Sequence, residues 1–448
     1  MLQHLRIIFR DHMTSFRSIL LSFLIMIFTG AVLLTLPAAS RSGVRVPFLD
    51  ALFTSTSAAC VTGLVVYDTA TQWSLFGKCV ILVLIQIGGL GVITALVAAM
   101  LLTGQKVGLR YRLVMQEAVS APHVGGILSF TKFFLKVTLW VELCGAALLT
   151  PVFISDFGPV AGIGYAVFHS VSAFCNAGFD LMGVRAPFSS LTHYTLHPWV
   201  NIVIALLIIM GGIGFMTWKD VSAKKFNWRM LRLQTKLILV TTAVLLAVGF
   251  LYFYLFEFTD VSGQGERILL SMFASVTPRT AGFNTADYST MSESGLMVTI
   301  FLMMIGGAPG STAGGMKLTT IAVIVLATYT YMRGQENCYC FQRRIRSVAI
   351  HSAYTLFAMY FLLLLTGTLA LAGLEKEPVI RTMFECASAL GTVGLSTGIT
   401  PGLCAASKLI LIFFMYFGRV GALTLTYAMT LAFHDTKRRF PVEDITVG

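Results

Sequence analysis

Four glycine-containing triplets recur along this 448-residue chain: Val61-Thr62-Gly63, Asn176-Ala177-Gly178, Thr280-Ala281-Gly282 and Thr392-Val393-Gly394. None holds an ionisable residue, so the chemistry they offer is that of neutral oxygens, backbone carbonyls and a few hydroxyls. Such oxygens can replace the water around a dehydrated monovalent cation. Ca²⁺ and Mg²⁺ sites, by contrast, usually recruit carboxylates. Glycine suits the task because it accepts positive φ, which other residues resist. One such triplet reads more readily as a helix break or a close-packing contact. Four in matching positions read as four walls of one ion site.

The flanking sequence names the elements that must hold them. Each triplet ends a short, mildly apolar segment: VPFLDALFTSTSAACVTGL, GYAVFHSVSAFCNAGFD, RILLSMFASVTPRTAGFN and VIRTMFECASALGTVGLS. Each segment has an aromatic near its start (Phe53, Phe168, Phe273, Phe384), then a cluster of Ser and Ala. At about 12–14 residues before the glycine they are too short to cross a bilayer and read as re-entrant helices. The four glycines lie 115, 104 and 112 residues apart, a repeat of one unit. Each unit also carries a later glycine group: Gly88-Gly89-Leu90-Gly91, Gly211-Gly212-Ile213-Gly214, Gly306-Gly307 and Gly418-Arg419-Val420-Gly421. Three groups begin 24 or 25 residues after the loop glycine and the second begins 33 after it.

Composition sets the surroundings. The chain is 56% hydrophobic and 12% charged, with a mean hydropathy of +0.81. Soluble domains carry about 25% charged residues, so this is a polytopic membrane protein whose partner is the lipid bilayer. Apolar stretches long enough to span fall at 17–38, 74–103, 130–154, 198–218, 235–258, 295–332, 348–373 and 405–433. The expected fold is all-α, with eight transmembrane helices and four re-entrant pore helices around a pseudo-fourfold central pore. The four repeats cover 1–105 (loop 60–65), 106–219 (loop 175–180), 220–335 (loop 279–284) and 336–448 (loop 391–396). The first apolar run, Ile19 to Leu36, exceeds the usual core of a cleaved signal and reads as a span.

The net charge of +12 is a topology signal. Of the 32 Lys and Arg, 21 fall at the two ends and in the loops near 104–136, 219–236 and 333–346. The opposite side has 9 against 12 Asp and Glu. The positive-inside rule puts both termini in the cytoplasm of a plasma-membrane protein, with the four loops facing out. This distribution excludes a nucleic-acid partner.

Two features look like a gate. The sixth span is interrupted by Gly306-Gly307-Ala308-Pro309-Gly310-Ser311-Thr312-Ala313-Gly314-Gly315-Met316-Lys317, which cannot stay helical because Gly costs ~1 kcal/mol and Pro ~3 relative to Ala. No Gly-Lys-Ser/Thr follows, so it is not a phosphate loop. The second feature is Arg419, with about 14 mostly apolar residues on either side. A mid-span charge is costly and usually faces a cavity or a partner. Arg419 is expected to set an electrostatic barrier and to hydrogen-bond carbonyls of 308–314. Glu142 reads as an interhelical hydrogen-bonding group, Arg279 as a brace for the third loop or a shaper of the outer mouth, and His169 and His351 as packing residues. No catalytic dyad, metal cluster or cysteine pair motif is present, so the protein is not expected to be an enzyme or to bind a nucleotide itself.

The motifs TSAACVTGL, SVSAFCNAGFD, SVTPRTAGFNT and SALGTVGLS resemble those of the Trk/Ktr/HKT superfamily of potassium transporters, most closely the Ktr-type membrane subunit, along essentially the whole chain. The resemblance implies K⁺ coordinated by the four loops, one pore per subunit, and a homodimer. It also implies Na⁺ as an activator of uptake and a cytoplasmic ring of nucleotide-binding subunits of the KtrA type on the basic loops and the C-terminus. Family members have an intramembrane loop at 306–317 and an arginine at the position of Arg419 that contacts it. Sodium-preferring plant members have serine in place of the first filter glycine, so Gly63 favours K⁺. The fourth triplet also matches the start of the potassium-channel filter TVGYG. Leu395-Ser396 replaces its last two residues, which points to a less strict filter.

Gly63→Ser therefore shifts ion preference toward Na⁺. The check is K⁺ against Na⁺ competition in a flux assay, and an unaltered ratio would remove Gly63 from the selecting site.

Overall fold

The computed structural model describes residues 15–103, 105, 107–118 and 125–421. The basic C-terminal run expected to meet a partner lies outside the described residues. In chain order the main helices are α1 (Ser15–Thr35), α2 (Phe48–Ala59), α3 (Leu75–Leu90), α4 (Val92–Leu102), α5 (Leu109–Ala118), α6 (Ile127–Phe157), α7 (Pro159–Phe174) and α8 (Pro198–Gly212). There follow α9 (Phe215–Ala223), α10 (Leu233–Tyr252), α11 (Gln264–Val276), α12 (Glu293–Met304), α13 (Leu318–Met332), α14 (Ser347–Glu375), α15 (Val379–Gly391) and α16 (Ala405–Val420). A two-residue antiparallel pair, Tyr339–Cys340 with Arg343–Arg344, forms a small hairpin between α13 and α14.

Among the described residues, four helices are long and apolar enough to cross a membrane: α1, α6, α10 with its π-helical extension Phe253–Glu257, and α14. About a third or less of each is buried, so most of their apolar surface faces outward, as lipid contact requires. Each is followed by one of the short helices α2, α7, α11 and α15. Those are buried along their C-terminal halves, their serines and threonines included. The protein is thus a helical integral membrane protein with long outer helices and short inner ones.

The stretches 74–103 and 198–218, expected as spans, are each bent at a break. α3 and α4 meet at 96° and α8 and α9 at 90°. The corners are Gly91 (φ +84) and Gly214 (φ +92), left-handed conformations that end a right-handed helix. Counting each bent pair as one span gives up to six candidate spans among the described residues, and residues 422–433 of the eighth expected stretch lie outside them. α12 and α13, separated by the non-helical residues 305–317, are singly too short.

One packing motif recurs in the units. Two residues after the buried aromatic stands a small residue: Ser55, Ser170, Ser275 or Cys386. Each of the three serines donates 2.7 Å to a carbonyl on the preceding long helix, at Ile27, Glu142 and Leu246 respectively. Three residues beyond each carbonyl lies a glycine, Gly30, Gly145 or Gly249, whose missing side chain admits that serine and a leucine of the unit's second helix. Gly367 holds the same place in the fourth unit, against Phe414 and Cys386. Lys408 at the start of α16 closes the arrangement, pairing with Asp50 of α2 at 2.7 Å while Tyr67 donates to the same carboxylate.

A Cβ on Gly249 would lie 2.7 Å from Ser275 Oγ, whereas one on Gly373 of α14 would meet nothing within 4 Å. Gly249→Val should cost about 1–3 kcal/mol of overpacking and Gly373→Val far less. Thermal unfolding in detergent, followed by size-exclusion profile, measures the difference.

Candidate functional site

The four triplets sit where the short helices end, and their backbones follow one pattern. Val61, Asn176, Thr280 and Thr392 all have left-handed φ, of 57°, 58°, 67° and 52°. Two residues on, Gly63, Gly178, Gly282 and Gly394 are left-handed again, at 93°, 69°, 79° and 93°. Glycine adopts this freely, but for an L-residue it costs roughly 1–2 kcal/mol. Sequence reasoning assigned the left-handed turn to glycine alone and missed the second one in each loop.

The loops close on one another in order. A Cβ on Gly63 would lie 2.5 Å from the Ala177 carbonyl oxygen, one on Gly178 2.8 Å from that of Ala281, and one on Gly282 2.6 Å from that of Val393. A Cβ on Gly394 would overlap the Thr62 carbonyl oxygen. Each glycine thus abuts the middle carbonyl of the next loop, and the cycle runs through all four repeats and returns. No side chain fits at those four positions.

The loops are held from behind by hydroxyls that the sequence reading did not single out. Ser57 and Ser388 accept the amides of Gly63 and Gly394 at 3.0 Å. Ser172 donates to the Phe179 carbonyl at 2.7 Å, and Thr277 donates to that of Phe283. All four stand four residues after the buried aromatic, which is the signal that could have found them. With their backbones held from behind, the loops can turn carbonyl oxygens toward a common centre, a geometry suited to a monovalent cation.

On one side, the four glycines border a cavity of about 270 Å³ whose wall includes Asp68, Asp180 and Asp287. On the other side lies the segment 306–317. Gly314 rests against the Thr392 side chain and Gly315 against Gly391. The segment's own ends are joined by Gly306 N to Met316 O (2.8 Å) and Leu318 N to Gly307 O (3.0 Å). It is tied to α8 by Ala308 N to Gly212 O (2.9 Å) and to α16 by Gly315 N to Gly418 O (3.1 Å). Ser311 Oγ donates to Ala308 O, and Lys317 Nζ to Ala313 O at 2.8 Å. Pro309 and Gly310 form the turn at its tip, and Gly310 O accepts from Phe215 N.

Arg419 donates to the carbonyls of Thr312 and Gly88, and to that of Gly89 at 3.0 Å. The two glycine contacts join α16 to α3 and were not foreseen. Arg419, Lys317, Gly310, Ser311 and Ala313 border a second cavity of about 250 Å³. Glu117 shares the wall of this cavity with the two cations, and the segment stands between the cavity and the ring of loops.

Other singled-out residues are structural. Glu142 accepts from Gln86 Nε2 at 3.0 and 3.2 Å, behind the second loop. Arg279 donates to Thr242 of α10 and so braces from the back. His169 donates from Nδ1 to Tyr165 O and accepts Leu181 N at Nε2.

A family model described as TrkH, a cation transport protein, matches residues 2–435. The potassium/sodium uptake protein NtpJ of Enterococcus hirae is 38% identical over 449 residues, 98% of each chain. The Ktr system potassium uptake protein B of Bacillus subtilis is 38% identical over 96% of this chain and 95% of its own. The crystal structure of the potassium transporter TrkH from Vibrio parahaemolyticus shares the fold at a TM-score of 0.73 and 18% identity, covering 94% of this chain and 86% of that one. This chain belongs to the TrkH family of cation transport proteins.

Proposed function

We propose that this protein carries K⁺ into the cell across the plasma membrane, through a filter made by the four loops. The observation that carries this reading is the closed cycle of glycine-to-carbonyl contacts, with one wall from each repeat. The filter residues are Val61, Thr62 and Gly63, with Asn176, Ala177, Gly178, Thr280, Ala281, Gly282, Thr392, Val393 and Gly394. K⁺ is the cargo, moved down its electrochemical gradient, since the residues of the site offer oxygens and no hydrolytic group. The acidic cavity faces outward and raises the local concentration of cations, while salt screens its longer reach.

The segment 306–317 with Arg419 is the gate. A guanidinium below the filter repels a cation, and in a water-poor setting that repulsion is poorly screened. Release of the segment from Arg419 opens the route to the second cavity. Na⁺ stimulates uptake, the protein works as a homodimer with one pore per subunit, and a cytoplasmic nucleotide-binding ring of the KtrA type sets the gate from the basic loops. The relatives' designation as components B and D of a Ktr system supports a multi-component assembly. A second reading, a filter that also passes Na⁺, is favoured by the name of the Enterococcus relative, a potassium/sodium uptake protein.

Uptake of K⁺ and Na⁺ into proteoliposomes, with and without a candidate ring, tests the whole reading. Gly178→Ala places a methyl at the Ala281 carbonyl and strains φ, so K⁺ uptake falls about tenfold or more. Wild-type uptake in that variant would show that ions travel elsewhere. Arg419→Gln raises K⁺ flux, and a flux equal to wild type would remove Arg419 from the gate.

A further inference from the structure

Thr312 is the most heavily anchored residue of the intramembrane segment. Its N–H donates to Gly211 O at 3.3 Å, its carbonyl accepts from Arg419, and its Oγ1 donates to Phe174 O at 3.0 Å. Thr312 is fully buried. The last contact bridges two regions 138 residues apart, because Phe174 ends α7 and stands two residues before Asn176 of the second loop.

The Phe174 carbonyl is available for a local reason. The last carbonyls of a helix have no intrahelical partner. Just before it, those of Val171, Ser172 and Ala173 accept the amides of Cys175, Ala177 and Asn176 as the chain folds back. The Phe174 carbonyl is served by side chains instead. With the Asn176 amide nitrogen turned toward Ala173 O, Phe174 O and Ile208 O, its two N–H groups are shared among these three acceptors and its oxygen accepts from Thr280 Oγ1; in the opposite orientation the nitrogen donates to Arg279 O and Thr280 Oγ1. In the first orientation one carbonyl takes a hydrogen bond from the intramembrane segment and another from the second loop. The same Asn176 side chain is the link from the second loop to the third. The space is also closed: a Cβ on Gly211 would overlap the Phe174 carbonyl and lie 2.8 Å from Thr312 Oγ1.

We propose that Thr312 couples the intramembrane segment to the second and third loops, so that movement of the gate alters the ion preference of the filter. This rests on reading 306–317 as the gate. When the segment leaves, the Phe174 carbonyl loses one of its two donors in a buried setting. The Asn176 amide then re-centres on that carbonyl, and its contact with Thr280 changes with it. Thr312 is a positioning residue, acting through Phe174 and Asn176.

The test uses the full-length protein in proteoliposomes, with K⁺ and Na⁺ flux measured in parallel for Thr312→Val, Thr312→Ala, Thr312→Ser and Arg419→Gln. Valine keeps the shape of threonine without the hydroxyl, alanine removes the hydroxyl without adding bulk, and serine keeps the donor. The valine and alanine variants should raise K⁺ flux and lower the K⁺/Na⁺ flux ratio by about fivefold, the equilibrium shift of one net hydrogen bond. Serine should keep the wild-type ratio. A structural contact without coupling would alter flux or protein yield and leave the ratio alone. An unchanged ratio in valine and alanine, or a serine variant that behaves like valine, overturns the proposal, and alanine decides if valine does not reconstitute. If Arg419→Gln raises flux while the hydroxyl-free variants keep their ratio, the gate reading stands and the coupling falls. If neither Arg419→Gln nor the hydroxyl-free variants change flux, both fall.

Discussion

Every backbone amide and carbonyl that leaves a helix inside an apolar layer must find a partner there. This constraint shapes the protein from the outer helices inward. The four loops meet it with a hydroxyl four residues after a buried phenylalanine, which engages the loop's backbone from behind. The segment 305–317 meets it by bonding its own two ends and by borrowing the free carbonyls where α8 and α16 stop. Glycine is dense at those helix ends because backbones there approach within the space of a methyl group. Gly88 lies against Ala59 O, Gly211 against Phe174 O and Gly418 against Leu390 O.

The same accounting explains how a guanidinium is tolerated in a layer that excludes charge. Arg419 has no carboxylate partner among the contacts described for it. It is surrounded by carbonyls of Thr312, Gly88 and Gly89. Gly88 and Gly89 belong to the last turn of α3, where unpaired carbonyls carry partial negative charge. The break at Gly91 thus frees acceptors as well as bending the chain. Lys317 uses Ala313 O in the same way. Both cations lie on one side of the ring and the three aspartates of the other cavity on the opposite side.

The strain in the loops is distributed. A β-branched residue in the left-handed region, as at Val61, Thr280 and Thr392, is unfavourable on its own. It persists because the short helix, the hydroxyl behind the loop and the neighbouring loop each fix it from a different direction. Strain of this kind held by its surroundings is common where a structure must present backbone atoms in a set geometry.

The sequence by itself determined the membrane class, the fourfold recurrence of the glycine triplets and the positions of the loop glycines. These follow from hydropathy and from spacing, which are properties of the chain alone. It also marked 306–317 and Arg419, because Gly, Pro and a mid-span charge conflict with a plain helix whatever surrounds them. The tertiary structure decided what spacing does not encode. Gly91 and Gly214 turn 74–103 and 198–218 into bent pairs, since a glycine within an apolar run is compatible with both helix and corner until packing selects one. The left-handed φ of Val61, Asn176, Thr280 and Thr392, the contact of Arg419 with α3, and the bond from Thr312 to Phe174 all join residues distant in the chain or forced by neighbours. Local preference opposes the first and is silent on the others, so only the closed packing of four units could fix them.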